Sequence, residues 1–266
     1  MEYDSIVNAT EVQPSIRGIW TPDAKNTLWA SVSRAARIPS PTELYCSPTE
    51  VRIPLPNHQP FDQDRIANPD LQVQHLIACE AGYRAEPIKS LSLDISTFYY
   101  ASDHQYERVT LPNEIIGGQV VRPVRKTDDQ NGQAWGFEIA PTWYVADNLS
   151  LSGSYSYLNM VQFGGISQLP YVQPDPRNQL KLQLHYDVTK QIGADSEFFW
   201  IDEFKSLKVP AYFRWDASVK WRPEKHVELS AGVWNIIDNG HPEQPSTVGT
   251  AYQVPRTFFV QLQVNF

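Results

Sequence analysis

The last twelve residues, Pro255–Phe266, read PRTFFVQLQVNF. Phe258, Val260, Leu262, Val264 and Phe266 fall on one side of an extended chain, and Gln261, Gln263 and Asn265 on the other. Period two with one wholly apolar side is the mark of a β-strand. The same alternation returns upstream. In Tyr212–Arg222, Phe213, Trp215, Ala217, Val219 and Trp221 oppose Arg214, Asp216, Ser218 and Lys220. Gln179–Val188, Asn148–Leu158, Ser90–Tyr100 and His226–Val233 repeat it. A soluble sandwich also alternates, so two further features decide. These segments are longer than the usual soluble strand of about five or six residues. Aromatic residues collect at their ends (Trp20, Trp29, Trp143 with Tyr144, Trp215, Trp221 and Trp234), as in the girdles of a transmembrane β-barrel.

Averages over the chain conceal this pattern. The 266 residues carry 22 Lys+Arg against 30 Asp+Glu, a net charge of −8, which argues against a nucleic-acid partner. Mean hydropathy is −0.41, the value of an ordinary soluble protein, and no apolar run is long enough for a membrane helix. A barrel produces the same average, because lumen-facing residues and loops are polar and cancel the lipid-facing stripes. The residues after Met1, Glu-Tyr-Asp-Ser, lack the basic and apolar regions of a secretory signal.

The alternation predicts an all-β fold, an antiparallel transmembrane barrel segment of about eleven long strands over 12–21, 27–37, 74–85, 89–109, 118–145, 148–162, 177–190, 193–204, 211–223, 225–237 and 254–266. Short turns alternate with long, Pro-rich connections, chiefly Pro39–Val73, Leu111–Gly117, Phe163–Pro176, Phe204–Pro210 and Asp238–Val254. Outer-membrane barrels have short periplasmic turns and long extracellular loops, which places Phe266 at the periplasmic end. An odd number of strands cannot close on itself in a fully antiparallel barrel, so the expectation is an open or incompletely closed curved sheet, half of a larger barrel.

Six blocks carry a family resemblance: 12–45 (VQPSIRGIWTPDAKNTLWASVSRAARIPSPTELY), 68–84 (NPDLQVQHLIACEAGYR), 91–109, 136–159, 209–243 and 254–266. In order and spacing they resemble the C-terminal half of the β-barrel of TonB-dependent outer-membrane receptors. The resemblance implies a twenty-two-strand barrel of which residues 1–266 are one unit, without the plug domain, signal peptide or energy-coupling segment. It implies uptake of a scarce small molecule such as an iron–siderophore across the outer membrane of a Gram-negative bacterium. It further implies contact with membrane lipid and lipopolysaccharide, and contact with the TonB complex only through the absent N-terminal part. Two other classes stay open on the residues alone, a passive porin-like channel subunit and a soluble β-sheet carbohydrate-binding module.

Candidate site residues follow. Arg34 and Arg37, in a block with Glu43, are expected to face the lumen, where they meet a plug or an anionic ligand, or else pair with Glu80 on the next strand. Asn68-Pro69-Asp70-Leu71 reads as a turn feeding the third strand. Tyr106, Arg108, Arg122, Arg125 and Lys126 form a basic, aromatic set at the tip of the fourth and fifth strands, either an anion site or a solvated loop face. The histidines show no metal-ligand spacing, so no metal or cofactor is expected, and no catalytic constellation is present to suggest an enzyme. Cys46 and Cys79 could pair in an oxidising compartment. Phe266, an aromatic ending an alternating strand, resembles the signal read by the outer-membrane assembly machinery.

Overall fold

The computed structural model describes residues 2–4, 9–45, 51–53, 61–116, 119–165, 176–205, 209–243 and 253–265. Eleven strands follow one another as neighbours in chain order: β1 (Ser15–Asp23), β2 (Asn26–Arg37), β3 (Gln74–Ile88), β4 (Leu91–Thr110), β5 (Gln119–Ala146), β6 (Leu149–Gly164), β7 (Asn178–Asp187), β8 (Ile192–Ile201), β9 (Tyr212–Glu224), β10 (Val227–Trp234) and β11 (Thr257–Val264). Each pairs antiparallel with the next. These are the strands the alternation predicts, with ends shifted by a few residues. The wall is not closed. Among the described residues, β1 and β11 have no partner on their outer sides, and ten antiparallel steps leave the two running in the same direction.

The register carries the two stripes across the sheet. Leu151, Leu184, Ser196, Ala217 and Val233 form one lateral row of the apolar face, and Ser152, Gln183, Glu197 and Asp216 run beside it on the polar face. The apolar face is uncovered: Leu182, Phe213, Val219 and Val260 are 48%, 51%, 52% and 76% exposed. A sheet one layer thick has no interior, and apart from Ala85 and Ala134 the few buried apolar side chains of the described residues lie elsewhere. Leu44, Leu71, Val121, Val124, Val209 and Tyr212 all sit at the end of the wall that carries the long connections. We call this end the rim.

Three of the long connections hold more structure than the sequence reading gives them; in Leu111–Gly117, a strand Glu114–Ile116 pairs antiparallel with residues 119–121 of β5. Pro39–Val73 contains a short helix α1 (Pro41–Leu44), a strand Val51–Ile53 and a strand Phe61–Ile66. Ser40 and Glu43 close α1 reciprocally, Ser40 N donating to Glu43 Oε2 at 2.8 Å, with Pro41 in the first turn. Phe61–Ile66 then lies parallel to β5, Asp62 opposite Val121 through Ile66 opposite Arg125. In Asp238–Val254, Gly240–Pro242 pairs with Gln253–Pro255.

Aromatic rings on the polar face lie across glycines of the adjacent strand. Trp29 covers Gly82, Phe98 covers Gly136 and Phe259 covers Gly232. A Cβ added at Gly136 would sit 2.7 Å from Phe98 Cζ, and one at Gly232 would sit 2.6 Å from Phe259 Cε1. Trp29 therefore leaves the expected aromatic girdle. So does Trp234, whose ring stacks on Phe259 at 4.8 Å. Both residues fall on the polar-face parity of their strands, where a glycine or a second ring offers a flat seat. Gly82→Val should drive its branches into the Trp29 indole and cost about 1–3 kcal/mol. Gly18→Val, which meets nothing within 4 Å, should be near neutral. Urea midpoints of the two variants in detergent check this, and equal midpoints would refute the Trp29 seat.

Candidate functional site

At the rim, α1 delivers Glu43 between two strands. Glu43 accepts Arg37 Nη2 at 2.8 Å from the end of β2 and is paired with Lys126 Nζ from β5. Its side chain is 10% exposed. Burial alone would raise the Glu43 carboxyl, but the hydrogen bonds from Lys126 and Ser40 and the charges of Lys126 and Arg37 outweigh it and hold the pKa at about 2. The Arg37 guanidinium lies 4.4 Å from the Tyr106 ring centroid, and Tyr106 donates its hydroxyl to Gln72 O at 2.6 Å.

The Asn68–Leu71 turn forms as expected, and Asn68 does more than turn the chain. It is 4% exposed. Its backbone NH donates to Glu43 O at 3.0 Å and its Nδ2 to Lys126 O at 2.9 Å, while its Oδ1 accepts Arg125 Nη2 at 2.7 Å. Gln72 N donates to Asp128 Oδ2 at 2.7 Å. Arg37, Glu43, Tyr106, Arg125 and Lys126 thus come together, with Glu43 pairing both Arg37 and Lys126, while Arg108, directly opposite Lys126 in the register, and Arg122 are exposed.

Two expectations are corrected. Arg34 does not share a face with Arg37, because three residues along a strand reverses the side. Arg34 pairs with Glu11 at 2.9 Å and donates to Val12 O at 2.6 Å, beside His75, which stands 3.3 Å from Glu11 and 3.2 Å from Asp103. Glu80 pairs with neither arginine. The register sets it opposite Ser31, whose hydroxyl donates to it at 3.2 Å, and the Tyr100 hydroxyl donates at 2.8 Å. Phe266 and Cys46 lie outside the described residues, so neither the terminal aromatic nor a Cys46–Cys79 pairing is described.

A second rim cluster escaped the sequence reading. Asn235, fully buried and at φ 58°, follows the end of β10. Its Nδ2 donates to Asp238 Oδ1 at 2.6 Å and Val254 O at 3.1 Å, and its backbone NH to Asp216 Oδ1 at 2.8 Å. Arg214 holds Asp216, with Nη2 2.7 Å from Oδ2, and Arg256 donates to the carbonyls of Asn235, Ile236 and Asp238. His241 stacks on Tyr212 at 4.4 Å, between Asp238 at 3.1 Å and Glu243 at 3.2 Å. The available signal was Asn-Ile-Ile-Asp-Asn-Gly directly after an alternating strand, a run rich in residues that tolerate left-handed backbone and bond to it locally.

A single-layer antiparallel wall, apolar on one face, polar on the other and elaborated at one end only, defines the wall of a transmembrane β-barrel. Residues 2–236 match the family model described as TonB dependent receptor-like, beta-barrel. The chain belongs to this family, whose members are outer-membrane receptors of Gram-negative bacteria. Among solved structures it is similar to the ferric enterobactin receptor PfeA of Pseudomonas aeruginosa, with 17% identity, 98% of this chain and 41% of that chain covered, and a TM-score of 0.72. It is also similar to the siderophore receptor PirA of Acinetobacter baumannii (15% identity, 96% and 41% covered, TM-score 0.70) and to the copper transporter OprC (16% identity, 96% and 39% covered, TM-score 0.71). The chain therefore spans about two fifths of the length of these proteins. No curated protein matches it.

Proposed function

We propose that residues 1–266 form the C-terminal half of the barrel of a TonB-dependent uptake receptor, supplying wall and outer loops for capture of a scarce small molecule such as an iron–siderophore. The observation that carries this reading is the open wall with two parallel-running edges. Unpaired edges are not tolerated in lipid. An antiparallel wall joining β11 back to β1 needs an odd number of further strands, and two copies of this chain would meet at two parallel seams instead. The reading takes the apolar face against lipid and lipopolysaccharide, the rim outward, and the C-terminal segment that includes Phe266 as the one read by the assembly machinery. Energy coupling through TonB belongs to parts of the receptor outside this chain. Siderophore chemistry is supported by the names of two of the similar structures, while the third is a copper transporter.

The test is expression of the chain alone and together with the plug and preceding strands of a related receptor. The chain should need detergent to stay dispersed, and ferric-siderophore binding should require both pieces. Monodisperse sedimentation of the chain in buffer without detergent would overturn the membrane reading.

A further inference from the structure

Apart from Ala85 and Ala134, the buried apolar side chains of the described residues are confined to the rim, and Leu44, Leu71, Val121 and Val124 belong to just two elements. Leu44 and Leu71 lie on the Pro39–Val73 connection. Val121 and Val124 lie on the part of β5 that rises beyond the wall with the upper end of β4. Pro39 and Pro123, from the same two elements, are also fully buried. Burial of this kind requires something packed on both sides, which a single-layer wall does not supply by itself.

The polar contacts join the same two elements. Phe61–Ile66 contributes a parallel ladder to β5. Asn68, Gln72 and Tyr106 stitch the returning connection to the hairpin through main-chain and side-chain hydrogen bonds. Glu43 binds one cation from each side, Arg37 from the strand that leads into the connection and Lys126 from the hairpin.

We infer that residues 39–45 and 61–73 of the Pro39–Val73 connection and the adjoining upper parts of β4 and β5 form one preformed wall above the barrel, with Glu43 as the positioning residue that locks them and fixes Arg37 and Lys126 in place. This part of the rim then presents its surface ready-made and does not fold over a captured molecule. The inference concerns the rim contacts and holds whichever side of a membrane the rim faces.

Hydrogen exchange of the full chain refolded in detergent, without ligand, tests it separately from any binding or sidedness. Amides of Phe61–Ile66 and of Val121, Arg122, Val124 and Arg125 should be protected in the parent chain. Glu43→Ala should speed their exchange by about tenfold or more, since it removes two charge-assisted bonds and the α1 cap. Strand Asn178–Asp187 should be unaffected. Lys126→Met, which leaves the Ser40 cap intact, should reproduce the effect on the ladder if Glu43→Ala fails to refold.

Acid gives a readout that packing alone would not move. With the folded Glu43 pKa lowered to about 2 from an ordinary 4.5, its contribution is present above 4.5 and is lost as pH falls from 4.5 through 2. Protection factors of the ladder should therefore hold at pH 5 and decline below about 4, whereas Glu43→Gln should start lower and lack that step. Unchanged ladder protection in both Glu43→Ala and Lys126→Met, or the same acid step in Glu43→Gln, would overturn the inference.

Discussion

Leu182→Arg should cost about 2–4 kcal/mol of folding stability in a bilayer, while Gln183→Arg, one residue further on, should be tolerated. The two positions lie at the middle of β7, at the same depth, and differ only in the face they occupy. Leu182 stands opposite Gly153 and Phe198 on the uncovered apolar face and is 48% exposed. An arginine there must remain in hydrocarbon or reach an interface half a strand away. Gln183 stands on the polar face and donates to Glu197 at 2.9 Å. An arginine in its place gains that carboxylate as a partner. Denaturant titration of both variants refolded into lipid vesicles is the measurement. Equal destabilisation would refute the assignment of faces, and with it the reading of every strand from β1 to β11.

Asn235→Ala is the second large effect, about 2–4 kcal/mol. The substitution removes a charge-assisted hydrogen bond to Asp238, a class of bond that contributes about 1.5–3 kcal/mol, and a further donor to the Val254 carbonyl. It also places a residue with a Cβ and no local side-chain bond at φ 58°, at roughly 1–2 kcal/mol. One term opposes these, because the buried Oδ1 of Asn235 has no partner and its removal relieves a small penalty. Asn235→Gly separates the contributions. It keeps the left-handed backbone at no steric cost and should recover about 1 kcal/mol relative to alanine. Urea midpoints in detergent give the comparison. A glycine variant less stable than the alanine variant would show that backbone geometry is not a cost here.

The strands were legible because a period-two stripe is local. Each strand declares its own faces within a few residues, and once long strands alternate with short and long connections the hairpin order follows. The opposite faces of Arg34 and Arg37 were equally legible, since their spacing of three settles the matter inside any regular strand. The Ser40-Pro41-Thr42-Glu43 start of α1 is likewise a local signature, with serine at the cap, proline in the first turn and glutamate three residues on. The partners of Glu80 were not legible. They depend on a register that sets Glu80 opposite Ser31 and Phe98, and that register is the outcome of pairing along whole strands.

By itself the sequence determined an open antiparallel wall with one apolar and one polar face, and put its elaboration at one end. Alternation, strand length and connection length are properties of neighbours in the chain, and they require no knowledge of what lies across space. Only the tertiary structure decided that the Asn68 block and Glu43 meet β5, that Phe61–Ile66 runs parallel to it, and that the cations Arg37 and Lys126 are held by one carboxylate. Those contacts join residues 57, 58 and 83 positions apart. At such separations a hydrogen bond or ion pair is chosen by burial and geometry once the loops have closed, and residue types along the chain carry no trace of that choice.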